Sequence, residues 1–492
     1  MKALISGQLD LMARQHPERP AVAEVGVKIE NTLTWRDLDR ITAELADQYL
    51  RSIEFDEKSL IIVEASNRLE SAAAILAILR AGIGCAPINA RSPQPERHRL
   101  FTAVARRFAK VYELNPQTGA LDSACFASED RPKASEPSPE YLLAGGGTSG
   151  VPRLIDGYID GGALGPMGGY RLLLEGAGWT QGMRQLIVGP LYHSAPFRTF
   201  LSGVFAGHTI VLQGTFSAEI TWNVLQREGI QWVQVTPTHM RRMMEGGAPP
   251  KSAVSALRGL LHTAAPCDIR TKRFWLDYLG PDRLFEAYGA TEQIGMTLCN
   301  GHEWLERPGT VGRGFLTQVQ VLGENGTPVP HGEPGTVYMR TAAGKGMRPA
   351  HHEAVQYSRS GFQTVGDQGR LDRDGYLYLD GRRTDVFSVG GANVYPDEIE
   401  AAILRVGGVV DVAVFAAEDP AFGAIPHAMI VIEGGSSIRA QEIREFCRRE
   451  LSIHKVPKKI EIVDAIPRNE AGKIERSKLS LSSKIPEKGQ PK

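Results

Sequence analysis

Apolar residues in this chain fall into short runs separated by glycine, proline and charged residues. Residues 59–64 form one run, 71–80 an alanine-rich run with no polar face, and 85–88 a third. The first and third predict strands. The second predicts a buried helix, closed by Ala81-Gly82. Strand, helix, strand is the alternation of a parallel sheet. Runs at 186–188, 208–212, 231–235, 260–266 and 283–287 predict further strands of the same kind. Residues 8–15 and the Thr34-Trp35-Arg36-Asp37-Leu38 start predict helices, with a short strand between them. Residues 115–139 are polar and rich in serine and proline, which predicts a surface connection.

The pattern then changes. Runs at 319–322 and 335–340, around Gly323-Glu324-Asn325-Gly326, predict antiparallel hairpin material. Residues 366–382 predict a hairpin turning at Arg373-Asp374-Gly375, with Tyr376-Leu377-Tyr378-Leu379 as one arm. That hairpin would bring Asp367 and Arg382 together. A carboxylate accepts two hydroxyls and a guanidinium donates to oxygens, so the pair suits the ribose of a nucleotide. Beyond Arg383, Thr384 and Asp385 the composition shifts. A helix at 396–404, strands at 409–416 and 427–432, a helix at 438–451 and a strand at 456–463 follow. The expectation is an α/β protein of two domains. Residues 1–383 form a large domain of αβ layered sheets with a β-rich subdomain, and 384–492 a small, mobile α+β domain.

Length and composition add exclusions. The 492 residues are 42% hydrophobic and 23% charged, ordinary for globular domains of normal core size. Lys plus Arg and Asp plus Glu are both 56, so no basic excess points to nucleic acid. The five cysteines show no paired or metal-type spacing, which argues for a reducing cytoplasm and against a structural zinc site. Asp10 interrupts the N-terminus where a signal peptide needs an apolar run, and no window is long enough to span a bilayer. The triplet Ser477-Lys478-Leu479 is internal and is no peroxisomal address.

Candidate chemistry sits at the ends of the predicted strands. Strand 141–144 runs into Gly145-Gly146-Gly147-Thr148-Ser149-Gly150-Val151-Pro152-Arg153. Backbone amides of such a loop can approach an anion, and Thr148, Ser149 and Arg153 add donors. Val151-Pro152 stands where a Walker A loop needs lysine and a hydroxyl residue, so that reading is rejected. Gly145, Gly147 and Gly150 match a dinucleotide fingerprint numerically, but Gly157, Gly161 and Gly162 interrupt any long helix after it. A phosphate loop of another type and a plain glycine turn stay open. Tyr288-Gly289-Ala290-Thr291-Glu292 offers a ring for a base, a donor for phosphate and a hard oxygen for Mg²⁺. His193 reads as a packed loop histidine or a site residue, and Lys473 as a solvated loop lysine or a mobile cation.

Taken in order, these stretches resemble the adenylate-forming (ANL) superfamily: acyl- and aryl-CoA synthetases, adenylation domains of peptide synthetases, and luciferases. The resemblance covers nearly the whole chain. It implies that Gly147, Thr148, Ser149, Gly150 and Arg153 handle the ATP phosphates. Ala264, Ala265 and Pro266 would wall the adenine. Glu286, Ala287, Tyr288, Gly289, Ala290 and Thr291 would hold adenine and the α-phosphate, with Glu292 on Mg²⁺. Asp367 and Arg382 would take the ribose side. Lys473 would be the mobile catalytic lysine, Thr384 the hinge, and Gly390 and Gly391 a tunnel for pantetheine. His193 matches a residue lining the acyl site. The chain departs from the family at Gly145, Gly146, Arg153 and Thr384, where threonine, a hydroxyl residue, lysine, and aspartate or lysine are usual. The Gly-Gly-Thr-Ser-Gly loop is similar to that of synthetases for sterol-like or polycyclic acids.

The resemblance implies ATP-dependent activation of a carboxylic acid to an acyl-adenylate, then thioester formation with coenzyme A as co-substrate. The alternatives are a standalone adenylation enzyme loading a carrier protein, and a non-catalytic nucleotide-binding homologue. Neither 192–197 nor Gln234-Val235-Thr236 offers a carboxylate for an ammonium group, which favours a neutral, mostly apolar acid. Ala287, Gly289 and Gly295 would leave a wide pocket for a bulky polycyclic or aryl substrate.

Overall fold

The computed structural model describes residues 2–26, 28–53, 59–92, 94–108, 110–123, 139–145, 153–160, 162–341, 355–382, 387–389, 392–394, 396–419, 423–451, 453–468, 474, 476 and 479. Two mixed sheets and a β subdomain make the large N-terminal part. The larger sheet has nine strands, ordered Arg313–Phe315, Met296–Asn300, Leu284–Gly289, Gly259–His262, Trp232–Val235, Arg184–Ile187, Thr209–Gln213, Pro20–Val25 and Ile29–Thr34. Its six central strands are parallel, and the strands at both edges are antiparallel.

The second sheet is centred on the parallel strands Ser59–Ala65 and Gly84–Asn89. The helix between them, Leu69–Ala81, is buried all round, as an apolar run without a polar face requires. It packs in one core with Trp35 and Leu38 of the helix Trp35–Ser52 and with Phe197 and Phe200. Gly82 ends the helix at φ 81°, its N–H reaching the carbonyls of Ile78 and Leu79. Thr34 and Asp37 begin Trp35–Ser52 with reciprocal caps of 3.1 and 3.2 Å.

The expected surface connection at 115–139 needs correction. Lys110–Asn115 and Ala120–Ser123 pair antiparallel on the edge of the second sheet. Asn115 drives the turn, its side chain accepting from the amides of Gln117 and Thr118 at 3.0 and 3.3 Å. Residues 124–138 lie outside the described ones.

The β subdomain is an antiparallel sheet. Thr317–Leu322 pairs with Gly335–Thr341, and Asp367–Leu371 with Leu377–Arg382. Its core is aliphatic, from Ile294, Val321, Val337, Met339 and Leu377. Gly295 belongs to this packing rather than to a pocket wall. A Cβ there would meet Thr317 at 2.5 Å and Met339 at 2.8 Å, so glycine admits the subdomain against the large sheet.

The small C-terminal part has its own core of Val394, Ile399, Ile403, Val412, Val414, Ile430 and Ile443. Its sheet joins Val409–Asp419, Gly423–Ile432 and Lys459–Ile462, covered by the helices Pro396–Ile403 and Ala440–Glu450. Strands Phe387–Val389 and Ala392–Val394, unforeseen from the sequence, flank Gly390 and Gly391 and pair through Val389 and Ala392. No described helix is long and apolar enough to cross a membrane.

Candidate functional site

Ligands of parallel αβ sheets settle at the carboxyl ends of the strands. Here those ends carry Thr263-Ala264-Ala265-Pro266 after Gly259–His262, and Gly289-Ala290-Thr291-Glu292 at the close of Leu284–Gly289. The two strands are neighbours, His262 lying opposite Glu286 in register. Their small-residue ends therefore lie side by side. Ala264 and Pro266 are exposed and Ala265 is half-buried, as a wall open to a flat ligand would be. Ala264 has φ 79°, a left-handed backbone that a larger side chain resists.

Tyr288 is half-buried and donates its hydroxyl to Asp367 Oδ2 at 2.5 Å. This bond joins the large sheet to the β subdomain. In the subdomain hairpin Asp367 lies directly opposite Arg382 in register, as the turn chemistry predicts. Asp372 holds that turn, accepting from the amides of Asp374 and Tyr376 at 2.9 and 2.8 Å. So Tyr288, Asp367 and the Arg382 backbone are brought to one place. Asp367 is buried, with 6% of its surface exposed.

Glu292 is 8% exposed. Its neighbour Gln293 donates to the Asp156 carbonyl at 3.1 Å. Asp156 belongs to the strand Arg153–Gly157, antiparallel to Tyr141–Gly145, with Gly145 opposite Arg153. The glycine stretch thus leads from strand to antiparallel strand, not from strand to helix, which removes the dinucleotide-fingerprint reading. Gly147, Thr148, Ser149 and Gly150 lie outside the described residues, as do Thr384, Gly390, Gly391 and Lys473. The side chains of Arg153 and Arg382 do too.

A magnesium ion fits this donor set. It keeps several waters and takes one or two carboxylates plus phosphate oxygens. Glu292 supplies one hard oxygen donor. Among the described residues no group of three or more His, Cys, Asp or Glu could hold a metal.

Behind the strands Gly259–His262 and Leu284–Gly289 lies a cluster the sequence reading missed. Lys272 Nζ, on the helix Ile269–Leu279, donates to Glu286 Oε2 at 2.9 Å and lies 2.6 Å from His262 Nε2. Lys272 is 1% exposed and His262 fully buried. Burial first, then the Lys272 charge, push the His262 pKa well below its usual value, so the ring is neutral and its Nε2 accepts a hydrogen bond from the lysine. Glu286 therefore turns to Lys272 and braces its strand from behind. The signal was available: Lys272 lies between Thr271 and Trp275 on a helix whose neighbours are buried.

His193 stands at the N-cap position of the helix Ser194–Phe205 without a side-chain cap bond and is half-buried, its ring 4.7 Å from that of Tyr192. Deeper along this helix, Thr199 Oγ1 lies 2.9 Å from the Tyr170 hydroxyl and donates to Gln234 Oε1 at 3.0 Å. Gln234 Nε2 reaches Tyr170 at 3.2 Å. This network ties the His193 helix to the strand Trp232–Val235.

The base of the Lys473 segment is also visible. Arg468 and Ile474, on either side of it, form an antiparallel bridge. Arg468 Nη2 pairs with Asp411 at 2.7 Å, and Asp411 also meets Arg241 Nη1 at 3.4 Å. Arg241 lies on the helix Pro237–Glu245, which starts at the end of the strand carrying Gln234.

The chain matches the AMP-binding enzyme family over residues 9–149 and 167–346. It matches the AMP-binding enzyme C-terminal domain over residues 398–473. It is 30% identical over 314 residues to a sulfoacetate–CoA ligase of Cupriavidus necator, covering 60% of this chain and 58% of that one. It is 25% identical over 495 residues to a 2-succinylbenzoate–CoA ligase of Bacillus velezensis, covering 95% and 96%. The fold is similar to that of the Bacillus subtilis o-succinylbenzoate CoA synthetase in complex with its acyl-adenylate intermediate. There the TM-score is 0.78 at 23% identity, covering 98% and 99% of the two chains.

Proposed function

Since the chain belongs to the AMP-binding enzyme family of adenylate-forming, acyl-CoA synthetase-type ligases, we propose that it joins a bulky aryl or polycyclic carboxylic acid to coenzyme A through an acyl-adenylate. The observation that carries the reading is the convergence of Tyr288 and Asp367 beside Ala264, Ala265 and Pro266 at the strand ends. A ring, a carboxylate suited to ribose hydroxyls and a small-residue wall stand together there. Relatives named for 2-succinylbenzoate and ferulate support an aryl acid.

A substrate carboxylate attacks the α-phosphorus of ATP, and pyrophosphate leaves. Both reactants are anionic, so positive charge must gather where charge builds. Arg153 and Lys473 supply it from this chain. Glu292 would hold magnesium, which neutralises phosphate charge when bound. Thr148, Ser149 and the amides of Gly147 and Gly150 grip the ATP tail. Ala287, Gly289, Ala290 and Thr291 position adenine and the α-phosphate, with Glu286 bracing their strand through Lys272, and Arg382 meets the ribose-phosphate side. His193 lines the acyl site. In the second step the domain 384–492 swings about Thr384, withdraws Lys473, and lets Gly390 and Gly391 admit the pantetheine arm. Attack of the thiol on the acyl carbon then releases AMP. A carrier protein is the alternative acceptor; Lys455, Lys458 and Lys459 favour the phosphates of free coenzyme A.

Pyrophosphate release with ATP and a panel of aryl, polycyclic and fatty acids tests the reading. Release that needs both acid and ATP, followed by a thioester when coenzyme A is added, is the expected result. Lys473→Ala is expected to lower adenylate formation by about three orders of magnitude, in line with removal of a charge at the reacting phosphate. Thioester formation from supplied adenylate should survive it. Equal loss of both half-reactions would remove Lys473 from the first step.

A further inference from the structure

Arg198 is the one charged residue in the apolar stretch that runs from Pro196 to Phe205 on the helix behind His193. It is 7% exposed. Its guanidinium carbon lies 4.1 Å from the centroid of the Tyr170 ring, and its charge acts on the neighbouring Tyr141 hydroxyl. No ion pair joins it to a carboxylate among the described residues, and its Nε is buried with no hydrogen-bond partner. A buried charge without a counter-ion is strongly disfavoured. Histidine or lysine could relieve that by losing a proton, but arginine cannot. The Tyr170 ring lies against this permanent cation, and no carboxylate of the described residues pairs with it.

We propose that Arg198 takes as its counter-ion a second acidic group of the substrate, a carboxylate or sulfonate distal to the carboxyl that is activated. The guanidinium fork matches either group with two parallel hydrogen bonds. The position fits. Arg198 follows Ser194 by four residues, so the two share a face of the helix with His193 at its N-cap position. At 1.5 Å per residue it lies roughly 6 Å deeper than Ser194. A six-carbon diacid and a para-substituted benzoate each carry the second acid group at the far end of the molecule from the first. Tyr170, beneath the guanidinium, is fixed by Thr199 and Gln234, so the fork is aimed by a bonded network. This deepens the proposed function and rests on its placement of the acyl site beside His193. It also amends the expectation of a neutral acid. That expectation came from the lack of a carboxylate in 192–197 and in Gln234-Val235-Thr236, which excludes an ammonium partner and says nothing of a cation at Arg198.

Matched acids test it: terephthalate and para-sulfobenzoate against para-toluate, and adipate against hexanoate. Pyrophosphate release gives kcat/KM for each. The wild type should favour the anionic member of a pair at least tenfold. Arg198→Met should lower that ratio at least tenfold, and Arg198→Lys, which keeps charge but not the fork, should give a ratio between. The melting temperature of ligand-free Arg198→Met should not fall, because the substitution removes an uncompensated charge. Preference for the neutral acids, a ratio unchanged in both variants, or a melting temperature lowered in both with the ratio intact, overturns the proposal. Pyrophosphate release without discrimination overturns this inference alone. No release with any of the five acids overturns it together with the ligase reading.

Discussion

Ala264 carries the sharpest local constraint of the site. At φ 79° its backbone is one that side chains resist by about 1–2 kcal/mol. Ala264→Gly should leave stability within about 1 kcal/mol, since relief of strain offsets the lost chain restriction. Ala264→Val should lower stability by about 2 kcal/mol, because a branched side chain is a true outlier there. It should also raise the KM for ATP by narrowing the wall. Urea unfolding and ATP titration of the two variants check both statements. Residue identities along this wall were legible in the sequence, because small residues at a strand end are a local pattern. The strain was not, because alanine is no marker of a left-handed backbone.

At the scale of elements, Lys272 joins the helix Ile269–Leu279 to the strands Gly259–His262 and Leu284–Gly289. Breaking a buried pair from one side strands the other charge. Lys272→Met should cost about 3–5 kcal/mol, and Lys272→Met with Glu286→Gln much less, which denaturant midpoints of single and double variants will show. Histidines with lowered pKa values, His208 and His239 among them, weaken the fold in acid. Burial lowers the pKa of His208 to about 4, against the raising effect of its bond to the Thr180 carbonyl. Burial and Arg242 lower that of His239 to about 4. The unfolded histidine titrates near about 6.5. Between those values the unfolded chain binds more protons, so stability is lost as pH falls from about 6.5 to about 4. Each group contributes about 1.4 kcal/mol per pH unit in that window. Urea midpoints at pH 7 and 5 should differ accordingly, and His208→Gln should flatten part of the slope.

At the scale of the molecule, the small part meets the large one through Asp411, shared by Arg241 and Arg468 at the base of the Lys473 segment. A swing about Thr384 would have to part Arg241 from Asp411. Their contact is long and Asp411 needs no replacement donor, since Arg468 keeps it paired within the small part. Thr384→Pro should restrict the swing by fixing φ. Thioester formation should then slow about tenfold more than adenylate formation, in line with hinge changes that gate a step. Single-turnover measurements of each half-reaction decide it; equal slowing would remove Thr384 as the hinge.

The sequence by itself determined the strand-and-helix alternation, the burial of Leu69–Ala81, and the hairpin that sets Asp367 opposite Arg382. Each is written in a short stretch, through hydrophobic period, capping and turn chemistry. Tertiary structure alone decided which distant groups meet: Tyr288 with Asp367, Lys272 with Glu286, Arg198 with Tyr170. It also turned Gly295 from a pocket residue into a packing one. Those outcomes depend on the order of strands within the sheets and on how the sheets stack. No local pattern carries that, because side-chain chemistry acts over a few ångströms while the chain separating such partners runs to tens of residues.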